Sequence, residues 1–148
     1  MASERILGVG VIGLGGASLA MIPKFVQNPN FRVAAAAEID TEIMGRFRKD
    51  FPDAESYDDA VRLCASRSVD LVYIATPNRV HAEHARMALE NKKHVLIEKP
   101  MTIDIAAAQQ MIATAKRNGV LLGVNVKHSF EPRVLRSFIC ETAATGCQ

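Results

Sequence analysis

Lys99 is the side chain of this sequence best suited to moving a proton. It follows the apolar segment His94–Glu98, which we interpret as a buried strand, and it precedes Pro100. Burial lowers the pKa of a lysine, and a lysine whose pKa approaches neutrality can act as a general acid or base. An exposed lysine before a proline turn is the alternative. The sequence also leaves open whether the Lys99–Pro100 peptide bond is cis or trans.

A turn of small residues follows the apolar segment that ends at Gly13. It contains two of the glycines of the dinucleotide-binding pattern G-x-G-x-x-G, but Ser18 stands in the third position. Gly13 can adopt the positive φ of a tight turn, Gly15 lets the backbone approach a pyrophosphate, and the next helix directs free N–H groups at that anion. The predicted phosphate-binding residues are Gly13, Leu14, Gly15, Gly16, Ala17 and Ser18.

Residues 6–22 are almost free of polar side chains, so a signal peptide or a membrane span is an alternative interpretation of this segment. Five glycines interrupt it and Pro23 ends it, whereas a membrane-spanning helix needs about 20 consecutive apolar residues. We therefore expect no membrane association. A glycine-rich turn without a ligand is the remaining alternative, and polar residues at the ends of other predicted strands argue against it.

Carboxylates follow the next predicted strand, about two dozen residues after the glycine turn, in the run Glu38-Ile39-Asp40. A carboxylate at this position accepts hydrogen bonds from the adenosine ribose hydroxyls and repels the 2′-phosphate of NADP. No Arg or Lys follows directly, so NAD is favoured over NADP. Glu38 is the preferred candidate, since Asp40 can instead cap the next helix. A solvated carboxylate is the alternative.

Another strand end carries the polar residues of the run Ala75-Thr76-Pro77-Asn78. Pro77 ends the strand, and Asn78 offers both a donor and an acceptor. His81 follows one helical turn later, although a lone histidine more often lies at the surface. His81 and His84 have a spacing that allows a shared metal ion, but no third ligand is evident, so we predict no metal site.

Alternating strands and helices must position these side chains. We predict strands over residues 7–13, 32–38, 69–75, 94–98 and 120–126, with helices between them and a final helix over 131–144. This pattern favours a parallel sheet with helices on both faces, in which ligands bind beyond the carboxyl ends of the strands. Local expectations are a kink or break at Pro23, a cap at Thr41, a glycine cap at Gly119 and one shared helix side for Ile105, Ala108, Ile112 and Ala115.

Length and composition are those of an ordinary globular domain. The 148 residues can form one domain with a sizeable core. A net charge of +2 and a lack of basic stripes with interleaved aromatics give no reason to expect a nucleic acid partner. Cys64, Cys140 and Cys147 lack metal-type spacing, which is typical of reduced thiols in a cytoplasmic protein.

Three of these motifs together resemble the glucose–fructose oxidoreductase / inositol dehydrogenase family, over about residues 5–133. The motifs are Gly13-Leu14-Gly15, Ala75-Thr76-Pro77-Asn78 with His81, and Glu98-Lys99-Pro100-Met101. The resemblance implies a Rossmann-type doubly wound parallel sheet that binds NAD(P). It also implies that Lys99 lies near the nicotinamide and the reacting carbon. The residues that it places along the cofactor are Thr76, Pro77, Asn78, His81 and Glu98, and we also predict Ala75, at the same strand end, as a cofactor-binding residue.

The run from Asn125 to Phe130 refines this resemblance. Its His-Ser-Phe segment at 128–130 is similar to the 4,5-dihydroxyphthalate dehydrogenase group, which handles an aromatic diacid or diol. We therefore include Asn125 among the predicted cofactor-binding residues, and His128 with Lys99 among the predicted catalytic residues. His128 can instead begin the helix at Glu131.

Members of this family continue into a C-terminal α/β domain with an open sheet, which is absent from residues 1–148. We expect one dinucleotide-binding domain with its core at 5–126, and 127–148 leading toward the missing domain, in either a fragment or a natural short form. The expected function is hydride transfer between NAD and a hydroxyl-bearing cyclic substrate, such as a sugar, polyol or dihydroxy aromatic acid, in a homo-oligomer. A non-catalytic nucleotide-binding module or redox-sensing regulator is the alternative, and a structural domain with an empty cleft is the third.

Overall fold

The computed structural model describes residues 5–126, where six parallel strands form one sheet in the order β3-β2-β1-β4-β5-β6. The strands are β1 (Leu7–Ile12), β2 (Phe31–Ala37), β3 (Glu55–Tyr57), β4 (Leu71–Ile74), β5 (His94–Glu98) and β6 (Leu122–Asn125). The helices are α1 (Gly16–Gln27), α2 (Thr41–Asp50), α3 (Ala60–Ala65), α4 (His81–Glu90) and α5 (Ile105–Asn118), and a short 3-10 helix (Asn78–Val80) precedes α4.

Helices cover both faces of the sheet, so the predicted doubly wound α/β fold is confirmed. On one face Val9, Val11 and Tyr73 pack against α1 and α2 through residues such as Phe25 and Phe47. On the other face, side chains of the same strands pack against α3, α4 and α5. The strand order reverses between β1 and β4, and this is the point where open α/β sheets bind ligands.

The alanine run at the end of β2 forms a buried strand, as its position predicted and its helix propensity opposed. Ala34, Ala35, Ala36 and Ala37 are each at most 3% exposed, and they pair with β1 in the register Val11↔Ala36. Pairing and burial outweigh intrinsic preference here, because strand propensity reports mainly the packing of a side chain. β3 is an addition that the sequence did not predict; it pairs with the last three of these alanines.

Three local expectations about helices need correction. Helix α1 continues through Pro23, which lies on its exposed side beside Leu19. Water can reach the carbonyl that loses its N–H partner there, so no break is required. Asp40, not Thr41, caps α2, because its carboxylate accepts the N–H groups of Glu42 and Ile43.

The side of α5 that Ile105, Ala108, Ile112 and Ala115 were expected to share faces the core only in part. Ile105 is 78% exposed and Ile112 is 44% exposed, whereas Ala115 is buried together with Met111 and Thr114. The cap at Gly119 is confirmed, with a φ of 65°. No helix within residues 5–126 has the length and apolarity to cross a bilayer. The predicted helix over 131–144 lies outside the described residues.

Candidate cofactor-binding site

Gly13 turns the chain from β1 toward α1 in a conformation that favours glycine. Its φ is +84°, and an added Cβ would lie 2.9 Å from both the carbonyl oxygen of Ala75 and Cγ2 of Thr76. The N–H of Gly13 donates to the carbonyl of Ala37 at 2.9 Å. The predicted tight turn is therefore confirmed, and it is fixed between the ends of β2 and β4.

Helix α1 presents an open N-terminus at this turn. Its N-cap residue is Gly15, and within the described chain no side chain caps the helix or places an acidic group in its first turn. A Cβ added at Gly15 would meet no heavy atom within 4 Å, and Gly16 and Ala17 are exposed. Free N–H groups at a helix N-terminus attract anions, so this space fits a phosphate.

Ser18 supports the turn from inside the fold. It is fully buried, and its hydroxyl donates to the carbonyl of Gly13. The small side chain therefore allows close contact between α1 and β1, as expected for the position usually held by the third glycine. The hydrogen bond additionally fixes the turn that precedes the helix.

Glu38 lies beside the same turn, at the end of β2. Its Oε2 accepts the N–H of Leu14 at 2.8 Å, and its Oε1 accepts the N–H of Asp40 at 3.0 Å. Asp40 caps α2 instead of facing the cavity, and Ile39 is 87% exposed. Of the two candidate carboxylates, Glu38 and Asp40, Glu38 is therefore the one that lines the cavity beside the glycine turn.

A cavity of about 600 Å³ opens at the carboxyl ends of the strands, between the glycine turn and the end of β4. This volume is within the range of small-molecule sites. Seven of the residues predicted from the sequence line it: Gly13, Gly15, Glu38, Ile39, Ala75, Thr76 and Pro77. Asn78 begins the 3-10 helix after Pro77 and is exposed.

Several lining residues were missed from the sequence, namely Asp58, Asp59, Arg79, Val80 and His84. Asp58 and Asp59 follow β3, a strand of only three residues that pattern analysis could not detect. Arg79 directly follows the Pro77-Asn78 pair, so its position next to a strand end was the available signal.

His81 lies behind the cavity and connects two turns. It is 1% exposed, with Nε2 2.7 Å from the carbonyl oxygen of Thr76 and Nδ1 2.8 Å from that of Pro100. Its ring contacts backbone, and His81 is not among the residues that line the cavity. His84 lines the cavity instead, with Nδ1 3.1 Å from Oγ1 of Thr76, and burial lowers its pKa.

Glu98 occupies the end of β5 as part of a cluster of polar side chains. Its Oε1 accepts the hydroxyl of Tyr73 at 2.6 Å, and it also accepts the side-chain amide of Asn125. Lys99 follows and is exposed, so the alternative of an exposed lysine before a proline turn is the one observed. The Lys99–Pro100 peptide bond is cis.

His128 lies outside the described residues. No group of three metal-ligating side chains occurs within 5–126. A further groove of about 700 Å³ separates α1 from α2 and is lined mainly by apolar residues, including Leu19, Val26 and Phe51. Apart from the glycine turn at its rim, this groove contains none of the predicted site residues.

The fold, the open N-terminus of α1 and the position of Glu38 define a dinucleotide-binding α/β domain. The chain belongs to the GFO/IDH/MocA oxidoreductase family with an NAD-binding Rossmann fold, whose family model matches residues 7–126. This membership confirms the resemblance that the three motifs indicated.

Two curated relatives and one solved structure illustrate the similarity. The chain is 40% identical over 129 residues to 1-carboxy-3-chloro-3,4-dihydroxycyclohexa-1,5-diene dehydrogenase of Comamonas testosteroni, which covers 87% of the chain and 32% of the relative. It is 36% identical over 103 residues to the NADP(+)-dependent scyllo-inositol 2-dehydrogenase IolU of Bacillus subtilis, covering 70% and 31%. The chain thus spans about a third of the length of these curated relatives.

The solved structure is that of a variant of KijD10, a 3-ketoreductase from Actinomadura kijaniata, in complex with TDP-benzene and NADP. It superposes with a TM-score of 0.79 at 29% identity, covering 96% of this chain and 45% of the other. The similarity therefore extends from sequence motifs to the arrangement of the strands. Because relatives include enzymes that use NADP, family membership indicates an NAD(P)-binding domain without specifying whether the cofactor carries a 2′-phosphate.

Proposed function

We propose that this chain is the cofactor-binding domain of an NAD-dependent dehydrogenase that acts on a hydroxyl-bearing cyclic compound. The observation that carries the proposal is the open space at Gly15, which adjoins the uncapped N-terminus of α1 and shares a cavity with Glu38. The named reactions of the relatives, on a dihydroxycyclohexadiene and on scyllo-inositol, support this class of substrate. A sugar, a polyol and a dihydroxy aromatic acid are the candidates.

NAD is proposed over NADP because carboxylates dominate the cavity wall. Glu38, Asp58 and Asp59 line it, and Arg79 is the cationic side chain among the described lining residues. Glu38 already accepts two backbone N–H groups, which keep its carboxylate at the place where a ribose would bind. A 2′-phosphate at this position is repelled by like charge.

Lys99 is proposed to hold or move the proton of the substrate hydroxyl. The residue lies at the carboxyl end of β5, on the ligand-binding edge of the sheet, and its side chain is exposed to an incoming substrate. NAD, when bound, supplies the acceptor for hydride, so the protein needs only to position the substrate and manage this proton. His128 is proposed as a substrate-facing residue on the resemblance alone.

Isothermal titration tests the cofactor proposal. Wild-type protein is expected to bind NAD+ at least about fivefold more tightly than NADP+, because two like unit charges a few ångströms apart repel each other by at least about 1 kcal/mol. Glu38→Gln is expected to narrow this ratio. Tighter binding of NADP+ would overturn the argument from Glu38, and a chain that binds neither dinucleotide would refute the proposed function.

Turnover with a panel of cyclic polyols and dihydroxy aromatic acids tests the catalytic proposal. Lys99→Ala is expected to lose activity while keeping its affinity for NAD+. Equal turnover by both proteins would reject the role of Lys99. Because a cofactor-binding domain alone is expected to turn over little, this comparison needs the substrate domain present. A protein with both domains that binds NAD+ but converts no member of the panel would instead favour a non-catalytic nucleotide-binding module or a redox-sensing regulator.

A cytoplasmic location and a homo-oligomeric state complete the proposal. The location is supported by cysteines without paired spacing, of which Cys64 is buried with a free thiol. Exposed apolar side chains on separate surfaces, including Leu19, Ile103 and Ile105, are consistent with association. Analytical ultracentrifugation would show a species heavier than the monomer, and a monomer at micromolar concentration would contradict the oligomer.

A further inference from the structure

Tyr73 is the largest fully buried side chain in the described part of the protein, and its polar end reaches a functional motif. The residue lies on β4, next to the centre of the sheet, and it is paired with Leu96 of β5. Leu96 and Glu98 point to the same side of β5, because side chains on a strand alternate. The hydroxyl of Tyr73 therefore reaches diagonally across the sheet to Oε1 of Glu98, at 2.6 Å.

The same carboxylate oxygen receives a second donor from the opposite side. Asn125 of β6 is the register partner of Glu98, and its Nδ2 donates to Oε1. Both donors therefore bind one oxygen, and the second oxygen of Glu98 takes no part in either bond. Two neighbouring strands thus fix the orientation of a side chain that directly precedes Lys99.

The surroundings of Tyr73 fix the position of its ring and keep its hydroxyl protonated. Its ring packs against Phe25 of α1 with centroids 5.7 Å apart at an angle of 66°, and the residue is 0% exposed. Burial first, and then the hydrogen bond to Glu98, raise the pKa of Tyr73, so the phenol remains protonated and able to donate. A fixed donor on a rigid strand restricts the rotamers open to Glu98.

We propose that Tyr73 is a positioning residue for the nicotinamide end of the cofactor site, acting through Glu98. The inference rests on the proposed function and on the position of Glu98 at the carboxyl end of β5, next to Lys99 on the ligand-binding edge of the sheet. Tyr73 fixes the carboxylate of Glu98 before the ligand binds. The binding free energy is therefore not reduced by the entropy cost of ordering that side chain. The adenosine and phosphate end, at Gly13–Ser18 and Glu38, does not depend on this hydrogen bond.

The two ends of the ligand can be tested separately with NAD+ and ADP-ribose, since ADP-ribose has the adenosine and pyrophosphate but no nicotinamide. Tyr73→Phe removes only the hydroxyl and keeps the ring. We expect this variant to bind NAD+ about three- to tenfold more weakly, the effect of losing one hydrogen bond, with ADP-ribose binding unchanged.

A matched control exists in Tyr57, whose hydroxyl donates to Oε2 of Glu55 at 2.7 Å on β3. Tyr57→Phe removes the same kind of Tyr–Glu hydrogen bond away from β5, and it is expected to leave both affinities unchanged. Glu98→Gln provides a second variant that is independent of Tyr73. Glu98→Gln is expected to weaken the binding of NAD+ but not that of ADP-ribose. The double variant with Tyr73→Phe should bind NAD+ little more weakly than Glu98→Gln alone, because the two residues act as a unit.

The outcomes separate the inference from the proposed function. Wild-type affinity for NAD+ in Tyr73→Phe, an equal loss for NAD+ and ADP-ribose, or full additivity with Glu98→Gln would each overturn the role of Tyr73, while leaving the proposed function intact. Failure of the wild-type protein to bind either ligand would instead refute the proposed function, and this inference with it.

Discussion

Replacing Gly15 with alanine separates binding from folding at the glycine turn. Gly15 has ordinary extended backbone, with φ −76° and ψ −167°, and a new Cβ meets no heavy atom within 4 Å. The free energy of unfolding should therefore change by less than about 1 kcal/mol, which covers the lower preference of alanine for an N-cap. The methyl group occupies the open space where we place the pyrophosphate.

The expected loss of affinity follows from the contacts that this methyl group would displace. A hydrogen bond to a charged group contributes about 1.5–3 kcal/mol, and each 1.4 kcal/mol corresponds to about tenfold in Kd. Gly15→Ala should therefore bind NAD+ at least about tenfold more weakly, as measured by isothermal titration. Unchanged affinity in a normally folded variant would refute the location of the phosphates.

Gly13→Ala is the contrasting control, because this substitution is expected to lower the free energy of unfolding. A left-handed backbone costs an L-residue about 1–2 kcal/mol, and crowding adds about 1–3 kcal/mol, since the new Cβ lies 2.9 Å from the carbonyl oxygen of Ala75. Urea unfolding should show a loss of about 2–5 kcal/mol. A loss below about 0.5 kcal/mol would contradict the conformation assigned to Gly13.

Three further predictions concern stability. Asp40→Ala should lower the free energy of unfolding by about 0.5–2 kcal/mol in urea titrations, and Thr41→Ala by less; the reverse order would contradict the assigned cap. His81→Leu removes the ring N–H that donates to the carbonyl of either Thr76 or Pro100, and a loss of about 1–3 kcal/mol in the free energy of unfolding is expected; an unchanged melting curve would contradict it. Burial lowers the pKa of His94, whose Nδ1 accepts the N–H of Leu121 at 3.0 Å. The unfolded chain therefore binds the proton more readily, so stability falls as pH drops through and below the ordinary value of 6.5. His94→Asn should show a shallower fall, and identical pH profiles would contradict this assignment.

The strands that carry the site were predictable because strands and helices alternate regularly along the chain, so the position of a segment between turns indicates its type. The segment His94–Glu98 matches β5 at both ends, and the alanine run of β2 was identified by its position between turns. Both segments are short and mostly buried or half-buried, so their apolar content and the turn residues on either side were enough to identify them. The glycine turn was predictable for a different reason: a tight turn at this point needs a positive φ, which few residues other than glycine adopt.

The remaining parts of the site depend on contacts between segments far apart in the chain. The ring of His81 faces the carbonyl of Pro100, nineteen residues away, so local sequence could not show that it turns from the cavity. The sequence identified Tyr73 only as a residue of a strand. Its hydrogen bond to Glu98 joins residues 25 positions apart, so the local sequence could not show it. The apolar character of Ile105 and Ile112 suggested burial, but the rotation of α5 against the sheet is set by Met111 and Ala115.

The location of the dinucleotide phosphates at the N-terminus of α1 is the central claim. It is tested most directly by following backbone amide signals in ¹⁵N-labelled protein during titration with NAD+. The largest shift changes are predicted at Gly15, Gly16 and Ala17, with smaller changes at Glu38. Changes confined to the groove between α1 and α2, for example at Val26, with the amides of the glycine turn unmoved, would contradict the claim.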